Sequence, residues 1–268
     1  MLVRKRELVA AAPLLLLALC LPALGCGSSV PAGGGGEGES LNPSPGNPTV
    51  AICVDDVGYG DDYLPEWLAI EAPLTFAILP YSAKATSDAQ TLKDAGQQVL
   101  LHVPEENDPP HSFAGQGQVT VAMEQASVDQ VLDADAAQIP GMVGLNNHQG
   151  GKAGNDIGLQ RRVVDWARRH GVFVLDSNAS SHPVAYIAAG EVGMPVRINN
   201  VFLDDKTDAQ SIRDALRLLA AKARAWGTAI GICHFARPNT AAVMAEMIPV
   251  LQAEGIRFEF VSNVTNHP

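Results

Sequence analysis

Asp55 and Asp56 stand together at the end of the apolar run TVAICV, and histidines close two other runs, His102 after QVLL and His234 after AIGIC. Paired carboxylates repel at short range and cost free energy if buried unpaired. A divalent cation removes that cost, and His102 and His148 are of the right type to complete its shell. Further apolar runs end in Asn146-Asn147-His148, Asp176 and Asp204-Asp205. Two histidines and one carboxylate, with a position left for water, suit catalytic zinc and related first-row metals, and a second carboxylate beside them can take a proton from water. The chemistry within reach is metal-assisted hydrolysis. Glycoside hydrolysis by two carboxylates, Asp55 or Asp56 facing Asp176 or Asp204, stays open at this level.

Other plans score lower. There is no GxSxG elbow, and Cys53 and Cys233 lie within apolar runs, as buried free thiols do. The GGGGEG stretch neither follows a strand nor opens a helix, so it is no phosphate loop. Asp61 and Asp62 read as loop or capping residues, and His111, His170, His182 and His267 as loop or helix-end residues.

Residues so far apart in sequence need a fold that gathers them. Eight short runs, TVAICV, LTFAIL, QVLLHV, MVGLNN, VFVLD, NVFLD, AIGICH and IRFEFV, read as strands, several of them apolar on both faces. Between the sixth and seventh, Ile212, Leu216, Leu219, Ala223 and Trp226 share one helical face, with Thr207 and Gln210 as a capping box and Gly227 as the stop. Further helices are predicted over about 155–170, closed by Gly171, and about 240–254, closed by Gly255, with a kink or break at Pro249. Strand and helix in alternation predict an α/β domain with a parallel sheet, open or closed into a barrel. In either form the strands' carboxyl ends share one rim.

Arg4, Lys5 and Arg6 precede the apolar stretch LVAAAPLLLLALCLPAL, which predicts a secretory signal over residues 1–25. ALGC resembles the lipobox of bacterial lipoproteins, which implies lipidation at Cys26 and anchoring to the envelope membrane, facing the periplasm or exterior. Ordinary cleavage and release is the alternative. Residues 26–48, rich in Gly, Ser and Pro, read as a flexible tether, and 49–268 as one domain. Without residues 1–25 the chain keeps 15 basic and 28 acidic residues, a net −13. Such acidity argues against nucleic acid as a partner.

The blocks AICVDDVGYG, LTFAILPYS, VLLHVPEE, GLNNHQGG, FVLDSNAS, VFLDD and IGICHFARPNT resemble, in order and spacing, the divergent polysaccharide deacetylases, a branch of the NodB-like carbohydrate deacetylases. The likeness spans essentially Thr49 to Ser262. It implies a distorted seven-stranded (β/α) barrel of the glycoside hydrolase and deacetylase type. One divalent metal ion is expected, zinc first, with cobalt, manganese and nickel as alternatives because all can accept such ligands. By this resemblance Asp55 is the general base, Asp56, His102 and His148 are the ligands, and His234 protonates the leaving amine with Asp204 or Asp176 orienting its ring. The expected substrate is an acetylated polysaccharide or peptidoglycan-like glycan. The chain departs from the family pattern at Glu105, where members often carry Met before the glutamate that Glu106 matches, and at Asn199-Asn200 and Asn178-Ala179-Ser180, where they often carry arginines. Arg197 and Arg237 are the candidates to compensate, and Asn147, Arg197 and Glu106 are expected to contact substrate. The competing reading is a tethered glycan- or protein-binding lipoprotein whose metal site is structural and closed by a fourth protein ligand.

Overall fold

The computed structural model describes residues 47–58 and 63–266. The predicted signal, Cys26 and nearly all of the tether lie outside those residues, as do Asp61, Asp62 and His267. In chain order the elements are β1 (Thr49–Val57), α1 (Leu64–Leu68), β2 (Thr75–Ile78), α2 (Ala85–Asp94), β3 (Gln98–Glu105), α3 (Gln125–Ala136), β4 (Gly144–Gln149) and α4 (Ile157–His170). They continue with β5 (Phe173–Leu175), α5 (Ala185–Glu191), β6 (Val201–Phe202), α6 (Ala209–Trp226), β7 (Thr228–His234), α7 (Thr240–Ala253) and β8 (Arg257–Glu259).

Each of the eight predicted apolar runs overlaps one of these strands. Seven pair in the order β5-β4-β3-β2-β1-β7-β6, every pair parallel, and β8 joins the start of β1. The two ends of this curved sheet, β5 and β6, are joined just outside the strands by one backbone bridge, between Asp176 and Ile198. The result is a distorted parallel barrel with helices outside.

Side-chain alternation sets what each face carries. On β1, Val50, Ile52 and Val54 pack outward in the large core shared with the helices. Ala51 and Cys53 point the other way, into a small apolar cluster with Ala77, Leu100, Leu175, Ile230 and Ile232. Extending this inward parity by two residues reaches Asp55, His102 and His234 at the top of their strands. The barrel interior is thus apolar below and polar at its carboxyl rim.

The helices show where sequence periodicity holds and where it fails. Asp156 caps α4 by accepting from Leu159 N–H at 2.7 Å, and Gly171 ends it in the left-handed region at φ 67°. In α6 the predicted capping box gives way to Asp208, which accepts from Ser211 N–H at 2.9 Å. Trp226, expected on the buried face of α6, is 55% exposed at its last position. α7 runs unbroken through Pro249. An interior proline costs about 3 kcal/mol, and burial of Met244, Met247, Ile248 and Leu251 on both sides of it offsets that loss.

Candidate metal and acid–base site

A pocket of about 270 Å³ opens at the carboxyl rim, lined among others by Asp55, Asp56, His102, His148, His234 and Arg237. A larger hollow of about 330 Å³, between α7 and the end of α1, has Glu71 as its one ionisable lining residue among the described residues. Chemistry rather than volume selects the rim pocket.

Neighbouring residues of a strand face opposite sides, so Asp55 and Asp56 should not share a pocket. Asp56 solves this with a left-handed backbone, φ 63°, at an irregularity where the pairing of β1 with β2 shifts register. Aspartate is among the few residues that tolerate this region. The turn brings Asp56 Oδ1 to 2.9 Å from His148 Nδ1 and 3.2 Å from His102 Nε2. The two ring nitrogens are 3.2 Å apart. One donor atom from each of the three residues lies within 4.8 Å of the others.

Asn146 fixes the ring of His102. Its Nδ2 donates to Asp55 Oδ1 at 2.9 Å, and a carboxylate oxygen can only accept, so Asn146 Oδ1 is left to accept from His102 Nδ1–H at 2.9 Å. His102 Nε2 is thereby directed at Asp56. A backing hydrogen bond on the other ring nitrogen is the usual way a ligating histidine is oriented.

Electrostatics point the same way. Burial alone would raise Asp56, but hydrogen bonds and charge from His102 and His148 hold it well below the usual carboxylate range. Burial works to lower His102, yet Asp55 and Asp56 outweigh it and raise the ring to about 9. Without a metal, a proton on His102 supplies the positive charge that this cluster demands. A divalent cation would displace it. The donor set of one carboxylate and two imidazoles fits a first-row metal ion.

Asp55 is 3% exposed, and its ion-pair neighbour is His102, shared with Asp56. It accepts from Asn146 and from the Cys53 thiol, the latter at 3.3 Å, and its Oδ2 stands 3.7 Å from His102 Nε2. Burial raises its pKa, with Asp56 adding to the effect and His102, His234 and Asn146 opposing it. Cys53 and Cys233 are both unbridged and buried. The nearness of Cys53 to Asp55 was missed in the sequence, although the two-residue spacing on a strand carries it.

His234 pairs with Asp55 across β1 and β7. Its Nδ1 lies 2.8 Å from Asp204 Oδ1, and Asp204 Oδ2 accepts from His234 N–H and the Thr240 hydroxyl. Burial works to lower the His234 pKa, and Asp204 more than compensates and raises it. Phe202 stacks on the ring at 6.3 Å. Nε2 is the nitrogen left for the pocket.

Several expected residues work elsewhere. Asp176 does not orient His234: it accepts from Asn178 N–H at 2.9 Å and Tyr186 N–H at 3.1 Å, tying the β5 end to α5. With Asp204 fully buried under His234 and Asp176 turned away, the carboxylate pair for glycoside hydrolysis is not assembled. Arg197 is buried and donates to Val261, Ser262 and Pro195 carbonyls, its guanidinium 4.6 Å over Phe173, so it braces the C-terminal segment instead of meeting substrate. Glu106 is held by Lys152 at 2.6 Å and by Val121 N–H, outside the pocket lining. Asn147 lines the pocket, but its Oδ1 accepts from Ser177 N–H and its Nδ2 reaches Gln149 O. Arg237 is exposed at the rim.

The profile of the divergent polysaccharide deacetylases matches residues 52–265. The uncharacterized protein YibQ of Escherichia coli K12 is 29% identical over 221 residues, 82% of this chain and 68% of that protein. Among solved structures, an uncharacterized protein from Agrobacterium tumefaciens C58 superposes with a TM-score of 0.77 at 21% identity, covering 81% of this chain and 89% of that one. The catalytic domain of a peptidoglycan N-acetylglucosamine deacetylase from Eubacterium rectale shares the fold at a TM-score of 0.52 and 17% identity, over 84% and 95% of the two chains. A match reaching from β1 to beyond β8, and therefore across every strand that supplies the rim, shows that the chain belongs to the divergent polysaccharide deacetylase family.

Proposed function

We propose that this protein is a metal-dependent hydrolase that removes acetyl groups, N-acetyl in the first place, from a cell-envelope or extracellular polysaccharide. The carrying observation is the convergence of Asp56, His102 and His148 beside a buried Asp55 and the Asp204-His234 pair. A metal ion held by those three residues, zinc in the first instance, would lower the pKa of water and polarise the acyl oxygen. Asp55, with one oxygen fixed by Asn146 and Cys53, takes the proton of the attacking water. His234, steadied through Nδ1 by Asp204, donates from Nε2 to the departing amine. The predicted signal and Cys26 lipidation would set this activity at the envelope surface, and the glycan named for the Eubacterium rectale relative is of the class expected here.

The test joins metal content of the full chain, by elemental mass spectrometry, to acetate release from an N-acetylglucosamine tetramer. About one equivalent of metal is expected, with turnover abolished by a chelator and restored by zinc or cobalt. Folded protein that takes up no metal from excess would sink the reading.

A further inference from the structure

Where one bridge joins the β5 and β6 ends of the sheet, the outer wall of the barrel holds a groove of about 190 Å³. Trp226 and Tyr186 line it with Asn178, Asn199, Asn200 and Lys222; Asn199 is buried, its amide taken up by Ser177 O and Val201 N–H. The other two tryptophans, Trp67 and Trp166, are buried, whereas Trp226 is 55% exposed. Its ring is nevertheless held: Lys222 stands 5.0 Å over it, one helical turn earlier on α6, and donates to Asn200 O at 3.0 Å. Among the described residues no carboxylate lines this groove, although the whole chain carries a net −11.

The groove adjoins the rim pocket. Ser177 and Ala179 line the pocket, while Asn178 between them lines the groove. A left-handed backbone at Asn178, φ 56°, accompanies that division, and its Nδ2 donates to Asn199 O. A fixed, exposed indole beside the exposed Asn178, the half-buried Asn200 and an ammonium presents an apolar face edged by hydrogen-bonding groups. The C–H face of a pyranose, with its hydroxyl and acetamido groups at the edge, has that same character.

We infer that this groove is a sugar subsite of the enzyme, holding a neutral or anionic pyranose of the same polymer away from the unit at the rim. The inference rests on the deacetylase reading for its choice of ligand, and its test uses binding as well as turnover.

Trp226 provides an intrinsic probe, because ligand reaching the one exposed indole changes its emission. Titration of the full-length protein with the N-acetylglucosamine tetramer should give a saturable change that is absent in Trp226→Ala. The monosaccharide should give none at the same concentrations. In Trp226→Ala the KM for the tetramer should rise about tenfold while kcat and metal content stay unchanged, and Lys222→Gln should raise it less. Equal tetramer affinity of wild type and Trp226→Ala by calorimetry would overturn the subsite, even in an active enzyme. Trp226-dependent binding without acetate release would instead leave the subsite standing and remove the deacetylase reading.

Discussion

At the scale of single residues, the site divides into groups that hold charge in place and groups that move protons. Asp56 is bound up with both histidines, whereas Asp55 has only neutral donors, Asn146 and Cys53, within hydrogen-bond reach. Asp55→Asn and His234→Ala should therefore keep metal content near that of wild type and lower turnover by roughly 10²–10⁴-fold. Asp55→Asn with full turnover would remove the base from this scheme. The rim residues could be read as chemistry because their types are rare at the ends of apolar runs. Their partners could not: that Asn146 links His102 to Asp55, or that Asp204 and not Asp176 holds His234, depends on rotamers and on which backbone N–H groups need an acceptor. Arg197 misled for the same reason, since its charge gives no sign that two carbonyls of the C-terminal segment and that of nearby Pro195 already claim it.

At the scale of elements, the strands were the most legible part, because continuous apolar runs of this length need cover on both faces. Helix ends were less so. The periodic pattern of α6 carried Trp226 one position too far, past the point where the sheet offers anything to bury it. How closely a helix approaches its strand was hidden altogether, and Gly231 on β7 sets it. A methyl group there would stand 2.6 Å from Leu219 Cδ2 on α6 and 3.0 Å from Leu203 Cδ1. Gly231→Ala should thus destabilise the fold by about 1–3 kcal/mol through overpacking. A denaturant midpoint equal to wild type would show that α6 can move outward freely.

For the whole molecule, two buried carboxyls away from the proton-moving groups tie stability to pH. Asp135 on α3 is fully buried, and burial raises it to about 8, Tyr81 offsetting only part of the effect. Burial likewise raises Glu105 to about 7, against hydrogen bonds from Gln160. Both groups bind their proton more tightly folded than unfolded. Between the ordinary carboxylate range and those values the folded state keeps protons that the unfolded chain has lost, so stability falls as pH rises. Asp135→Asn should remove its share of that slope, on the order of a few kcal/mol by pH 8. Melting temperatures of wild type and variant from pH 4 to 8 provide the check, and parallel curves would contradict it. Helical spacing puts Asp135 on the buried face of α3 with Val128 and Leu132, but an acidic residue at that position reads in the sequence as a solvated one.

The left-handed turn at Asp56 limits how the site can be re-engineered. Position 56 has to satisfy a donor requirement and a backbone requirement together, so Glu or Cys, which also bind metals, bring a donor atom without the tolerance for positive φ. His102 and His148 sit on regular strands and carry no such double demand. β1 is then the fixed jaw of this clamp and β3 and β4 the adjustable one, and any effort to change which metal it grips should begin on the latter.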